Sequence, residues 1–130
     1  MVNGRAKGAA FEREVAKLLH AELGISFKRN LEQYRAGFHD DLTPDDDSFP
    51  WSIECKRYAG GSFNPSWWDQ ATASAQAQNK LPCVIYKFDR KPIRVAIPLG
   101  ALIDDTDGHI VDVSFEAFCY ITRERMDCET

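Results

Sequence analysis

The stretch that decides the reading is Ser52-Ile53-Glu54-Cys55-Lys56-Arg57. Side chains two apart on a strand share a face. Glu54 and Lys56 therefore point one way, and Ile53 and Cys55 the other, toward a core. A strand with a carboxylate and an ammonium on one face has two readings. One is a solvated salt-bridge face, the ordinary look of a half-exposed strand. The other is a metal-binding carboxylate with a lysine beside it. The surrounding residues have to decide between them.

Upstream lies Asp41, followed by the apolar Leu42. If the two strands are neighbours in a hairpin, Asp41 and Glu54 converge. Further upstream, Phe11, Val15, Leu18, Leu19 and Leu23 recur at helical spacing, predicting a helix over 8–23 that Gly24 stops. Glu12 shares a stripe of that helix with Ala16, Leu19 and Leu23, at the edge of the face that docks on the sheet. A carboxylate there is costly unless it is paired or holds a cation. A surface glutamate paired to a nearby base is the competing reading.

The rest of the chain predicts a strand over 25–31, a very short second strand before the acidic loop Thr43-Pro44-Asp45-Asp46-Asp47, and a third over 51–58. Gly60-Gly61 and Asn64-Pro65 break the chain. Ser66 is the expected cap of a second helix running to about Gln78, with Trp67, Trp68, Ala71 and Ala75 on its packing side. Strands follow over 83–88 and 93–97, joined by the turn Asp89-Arg90-Lys91-Pro92. Ser114 is placed to cap a last helix whose face carries Phe115, Phe118, Cys119 and Thr122. The expected architecture is α/β: one domain over 1–130, with a mixed central sheet of about five strands flanked by helices.

With 130 residues, 44% hydrophobic and 28% charged, the chain can bury a core without staples. No apolar run approaches the about 20 residues a membrane span needs. The basic N-terminus has no apolar signal core behind it, so a cytoplasmic location and no membrane partner are expected. Cys55, Cys83, Cys119 and Cys128 form no C-x-x-C pair, which argues against zinc and leaves reduced thiols as the default.

The net charge is −4, but it is segregated. Residues 1–35 sum to +3, 36–54 to −6, 55–98 to +5 and 99–130 to −6. Such a chain can present a basic surface around an acidic pocket, or simply carry scattered solvated charge.

Several other groups carry less. His39 adjoins Asp40 and Asp41 but reads as a solvated loop histidine, and His20 and His109 are isolated. Asp105-Thr106-Asp107-Gly108 lacks the later acids of an EF-hand and reads as a turn. Trp67 and Trp68 read as packing residues rather than stacking platforms for bases. No Gly-rich phosphate loop or nucleotide fingerprint is present, so no nucleotide cofactor is expected.

In order and spacing, these segments resemble the PD-(D/E)XK nuclease superfamily, and within it the small Holliday-junction-resolvase-like enzymes of archaea and phages. The resemblance covers about residues 5–98. It rests on Arg5-x-Lys7-Gly8-x-x-Phe11-Glu12-Arg13, then Asn30-Leu31-x-Gln33-x-Arg35-x-Gly37, then Asp41-Leu42, Ile53-Glu54-Cys55-Lys56 and Trp67-Trp68-x-Gln70-Ala71.

The resemblance implies a restriction-endonuclease-like core and a metal-dependent endodeoxyribonuclease. Mg²⁺ would be the cofactor, with Mn²⁺ able to substitute. Glu12, Asp41 and Glu54 match the metal-binding carboxylates and Lys56 the catalytic lysine. The Cys55 backbone carbonyl is a further candidate ligand. Gln70 or Gln76 matches a polar helix residue of some relatives. Arg5, Lys7, Arg29, Arg35 and Arg57 are the expected phosphate contacts.

The chain also departs from the pattern: no proline precedes Asp41, Phe38 stands at a second small position, and Asp40 beside Asp41 leaves the register open. Branched double-stranded DNA is the expected substrate, a four-way junction foremost, cut by a homodimer. The location would be the host cytoplasm if a phage encodes the chain. A nuclease for flaps, nicks or duplex is the alternative enzyme. A catalytically silent DNA-binding module is the alternative of another class.

Overall fold

The computed structural model describes residues 4–31 and 40–128, apart from the side chains of Arg5 and Cys128. Gln33, Arg35, Gly37 and His39 lie outside the described residues, as does the Arg5 side chain.

Helix α1 (Gly4–Leu23) starts four residues before its apolar stripe requires, and it ends at Gly24. Gly24 takes φ +73°, and its N–H donates to the His20 carbonyl, the left-handed cap that a glycine adopts without a Cβ penalty. The chain then lays down β1 (Phe27–Arg29), β2 (Leu42–Pro44) and β3 (Trp51–Tyr58). Helix α2 (Pro65–Gln78) crosses to β4 (Leu81–Phe88), and β5 (Arg94–Pro98) returns. A short 3₁₀ turn (Leu99–Ala101), β6 (Ile110–Ser114) and α3 (Phe115–Cys128) close the chain.

Among the described residues the six strands form one sheet in chain order. Only β3 and β4 run parallel, from Trp51 beside Leu81 to Tyr58 beside Phe88. A parallel pair needs a crossover, and α2 supplies it. The other neighbours are antiparallel. The sheet is therefore mixed and flanked by helices, as expected.

Four details differ from the sequence reading. The sheet has a sixth strand, β6, whose alternation exposes Ile110, Asp112 and Ser114 and half-buries Val111 and Val113. Two inward valines are too short a signal to stand apart from the helix that follows. The strand expected over 25–31 shrinks to three residues. The first residues of the acidic stretch, Thr43 and Pro44, belong to β2 rather than to a loop.

The fourth correction concerns the start of α2. Its cap is Asn64, not Ser66: the Asn64 side chain accepts from the Ser66 N–H at 2.9 Å, and Pro65 takes the first helical position. Proline fits there because its missing N–H would be unpaired anyway. Ser114 does cap α3, accepting from the Ala117 N–H at 3.0 Å.

Two cores sandwich the sheet. One lies under α1 and α3 and includes Phe11, Val15, Leu19, Trp51, Ile53, Ile85 and Phe118. The buried Trp51 indole donates to Thr122 Oγ1 at 2.9 Å, tying β3 to α3. The other lies under α2 and gathers Trp67, Ala71, Val84, Tyr86 and Ala96. Trp67 is packed there, with Tyr58 stacked on it at 5.2 Å, so it is a core residue as expected. Among the described residues no helix is long and apolar enough to cross a membrane.

Candidate active site

Strand β3 is buried on both faces at Ser52, Ile53 and Glu54, so its carboxylate sits inside the protein rather than on a solvated face. Ile53 belongs to the core under α1 and α3, with Cys55 packed against it. Glu54 and Lys56 turn toward α2, where Lys56 Nζ donates to Gln70 Oε1 at 2.7 Å.

Leu42 pairs with Ile53, so Asp41, the residue before β2, comes to lie beside Glu54. The Asp41 N–H donates to the Ile53 carbonyl at 2.8 Å, so Asp41 and Leu42 both meet Ile53, and the Asp41 carbonyl accepts from Asn30. The Asp41 side chain then leans along β3, where Oδ2 accepts the Cys55 N–H at 2.6 Å. A strand residue sends its N–H and C=O toward the same neighbour. The Cys55 carbonyl therefore faces the Asp41 side of β3.

Both acids are nearly inaccessible, Asp41 at 5% and Glu54 at 1%. The closest cation to Glu54 among the described residues, Lys56 Nζ, stands 4.0 Å from Oε2. Burial pushes the Glu54 carboxyl up to about 9, with the Asp41 charge raising it further and Lys56 opposing. Burial likewise raises Asp41 to about 6, against the Cys55 N–H, with Glu12 pushing the same way. Asp40 is buried too, but it acts on Glu54 only as the smallest of its influences.

Two buried carboxyls side by side, each pushed toward its neutral form, are what a hard divalent cation holds in the charged form. The donor set is all oxygen, which suits magnesium rather than a soft metal.

Glu12 stands apart from this pair. Its Oε1 accepts from Arg29 Nε at 2.8 Å, so the helix glutamate is ion-paired. Among the described residues, the one group that brings three acidic or histidine ligand atoms within 4.8 Å of one another is Asp105, Asp107 and His109. Glu12, Asp41 and Glu54 do not reach that closeness. In the other group, Asp105 already accepts from the N–H groups of His109 and Asp107 and meets His109 Nδ1 at 3.0 Å. Those bonds close the turn the sequence predicts.

The expected phosphate contacts are also engaged. Arg29 holds Glu12, while Lys7 and Arg57 both reach Asp89, at 3.1 and 2.7 Å. In the sequence Asp89 reads only as a turn residue; a lone acid between bases gives no local sign of partners on other elements. Beside Lys7 and Arg57 a groove of about 430 Å³ runs to Cys55 and Lys56. Of the two candidate glutamines, Gln70 meets Lys56, and Gln76 is exposed.

Residues 3–129 match a family described as "Phage putative PDDEXK endonuclease". The chain belongs to this phage PDDEXK endonuclease family. No curated protein matches its sequence. Among solved structures it is similar to Hjc of Archaeoglobus fulgidus, a Holliday junction resolvase from an archaeal hyperthermophile. The TM-score is 0.60 and the identity 16%, covering 88% of this chain and 98% of that one. At that identity the likeness establishes the fold, and the PDDEXK family match independently assigns the chain to the endonucleases.

Proposed function

We propose that this PDDEXK endonuclease is a Mg²⁺-dependent, structure-selective endodeoxyribonuclease that resolves four-way DNA junctions as a homodimer. The observation that carries the catalytic part is the buried Asp41–Glu54 pair with Lys56 beside it. The likeness to an archaeal Holliday junction resolvase supports the choice of substrate. Resolving a two-fold junction takes two symmetric cuts, which a C₂ dimer provides.

Asp41 and Glu54 would hold the cation, with the Cys55 carbonyl as a third oxygen and Glu12 joining if it leaves Arg29. When bound, Mg²⁺ neutralises charge at the scissile phosphate and makes water a better nucleophile. Lys56, fixed by Gln70, would orient the attacking water and stabilise the negative charge that builds on the phosphate oxygens. Lys7, Arg29, Arg57, Arg5 and Arg35 would grip phosphates, reading the branched shape rather than bases. Mn²⁺ would substitute, having the same preference for oxygen ligands.

The test is cleavage of a labelled four-way junction with Mg²⁺, beside flap, single-stranded and duplex DNA of the same sequence, each repeated with Glu54→Gln protein. Paired symmetric cuts in the junction alone are the expected result. Equal cutting of flap or duplex would keep the nuclease and remove the junction. Binding of junctions without cutting in any metal would make the protein a silent binding module.

A further inference from the structure

We propose that Asp89 is an internal phosphate mimic, occupying Lys7 and Arg57 until a DNA phosphate displaces it. The inference rests on the nuclease reading and concerns the groove that leads to its Lys56. Three separate elements meet here. Lys7 comes from α1, Arg57 from the end of β3, and Asp89 from the turn between β4 and β5. Both cations converge on the same oxygen, Asp89 Oδ1, Arg57 Nη2 at 2.7 Å and Lys7 Nζ at 3.1 Å. The Asp89 side chain is partly exposed, at 40%, with its backbone N–H anchored to the Ala59 carbonyl. A partly exposed carboxylate that gathers two cations from other elements is not filling a core. A carboxylate and a phosphate present the same acceptor oxygens to a guanidinium.

The wall of the groove supplies a second observation. Gly4 and Gly8 line it one helical turn apart, and a Cβ at either would meet nothing within 4 Å. Packing therefore does not require glycine at either place, although Gly8 costs α1 about 1 kcal/mol against alanine. A bare helix wall allows close approach of a backbone-sized ligand. The same groove holds Lys7, Arg57 and Lys56. A phosphodiester strand lying along Gly4 and Gly8 would reach Lys56 with its phosphates at the two cations.

In this arrangement DNA must exchange with Asp89, so the Lys7–Arg57 cluster offers one net positive charge instead of two. Asp89 then acts as a brake on weak, non-specific duplex and leaves tight binding to DNA that makes further contacts.

The experiment measures binding of labelled duplex and four-way junction in EDTA against salt concentration, for wild type, Asp89→Asn and Asp89→Asn/Lys7→Gln. Asp89→Asn should bind duplex on the order of fivefold tighter at low salt, with a slope of log K against log salt steeper by about 0.9, one additional counterion released. The double variant should return to the wild-type slope. Gly8→Leu, whose side chain enters the groove, should weaken binding without lowering the melting temperature.

Weaker or unchanged binding by Asp89→Asn with an unchanged slope would overturn the proposal and leave Asp89 as a scaffold for the two cations. If Asp89→Asn melts lower, Asp89→Ser under the same titration decides by the same slope. Wild-type protein that binds no DNA at any salt would remove the nuclease reading itself, and this inference with it.

Discussion

Asp41, the residue just before the Leu42–Ile53 pair of β2 and β3, brings its side chain against that of Glu54, and both carboxyls are buried. The two acids meet where water is excluded, and among the described residues the only cation near Glu54, Lys56, is 4.0 Å away. Burial acts against the charged form of both, and the Asp41 charge and hydrogen bond raise Glu54 further, whereas the hydrogen bond with Glu54 lowers Asp41. The metal-free protein therefore carries a local destabilisation that a divalent cation would relieve.

Glu54→Gln should remove that destabilisation while abolishing activity. Glutamine keeps the volume and is neutral without taking up a proton, so at neutral pH the metal-free melting temperature should rise, equivalent to about 1–2 kcal/mol. Cleavage should fall by about a thousandfold or more. Wild type should gain thermal stability when Mg²⁺ is added, by linkage to binding of the native state, and Glu54→Gln should lose most of that gain. Melting curves with and without Mg²⁺ check both. A variant less stable than wild type, with its Mg²⁺ response intact, would place the cation elsewhere.

The same pair sets a pH dependence. Folded-state pKa values of about 6 for Asp41 and about 9 for Glu54 lie above their ordinary values of 3.8 and 4.5. Between the unfolded and folded values the native state binds more protons, so stability falls as pH rises. The contribution is complete below about pH 4 and lost progressively as pH climbs through about 6 and on to about 9. For the Asp41 shift alone it is on the order of 2–3 kcal/mol. Urea unfolding at pH 5, 7 and 9 in EDTA should show this decline, and saturating Mg²⁺ should flatten it. A metal-free stability that rises from pH 5 to 9 would contradict the picture.

The sequence carried the site's skeleton because strands have a period of two. Glu54 and Lys56 had to share a face, and the acid before Leu42 had to meet Glu54 once the short strands paired. It did not carry the partners that individual side chains choose. Glu12 lay on the right helix stripe, yet its ion pair with Arg29 depends on where β1 crosses α1. Asp89 gathers Lys7 and Arg57 from distant positions, a meeting that no local spacing encodes. β6 escaped because Val111 and Val113 alone mark its inward face, and Asn64 was hidden as a cap because Asn-Pro also reads as a break.

Gln70 should matter to turnover more than to binding. Its Oε1 accepts from Lys56 Nζ at 2.7 Å, holding the ammonium beside Glu54. Gln70→Ala releases Lys56 without removing it. We expect a kcat about tenfold lower with junction affinity in EDTA within about twofold, because an orienting contact is lost while the charge remains. Lys56→Ala should be far more severe in kcat, and Gln70→Ala should add little on top of it. Equal losses from Gln70→Ala in both backgrounds would mean that the glutamine acts independently of Lys56.

Asp40 and Asp41 are neighbours in sequence and both buried, so substitution can assign their roles separately. Asp41 is the acid that lies beside Glu54, raises its pKa most after burial, and reaches the Cys55 N–H with Oδ2. Asp41→Asn can still accept that N–H through its amide oxygen, so the variant should fold. It loses the charge that would hold the cation, and cleavage should fall by about a thousandfold or more while junction binding in EDTA stays near wild type or strengthens. Asp40→Asn should retain cleavage within about tenfold, since Asp40 exerts only the last of the influences on Glu54. Single-turnover cleavage of a four-way junction by the two variants, at matched folded concentration, reads the difference. Loss of cleavage in Asp40→Asn with activity kept in Asp41→Asn would reverse the register and move the cation to the other acid.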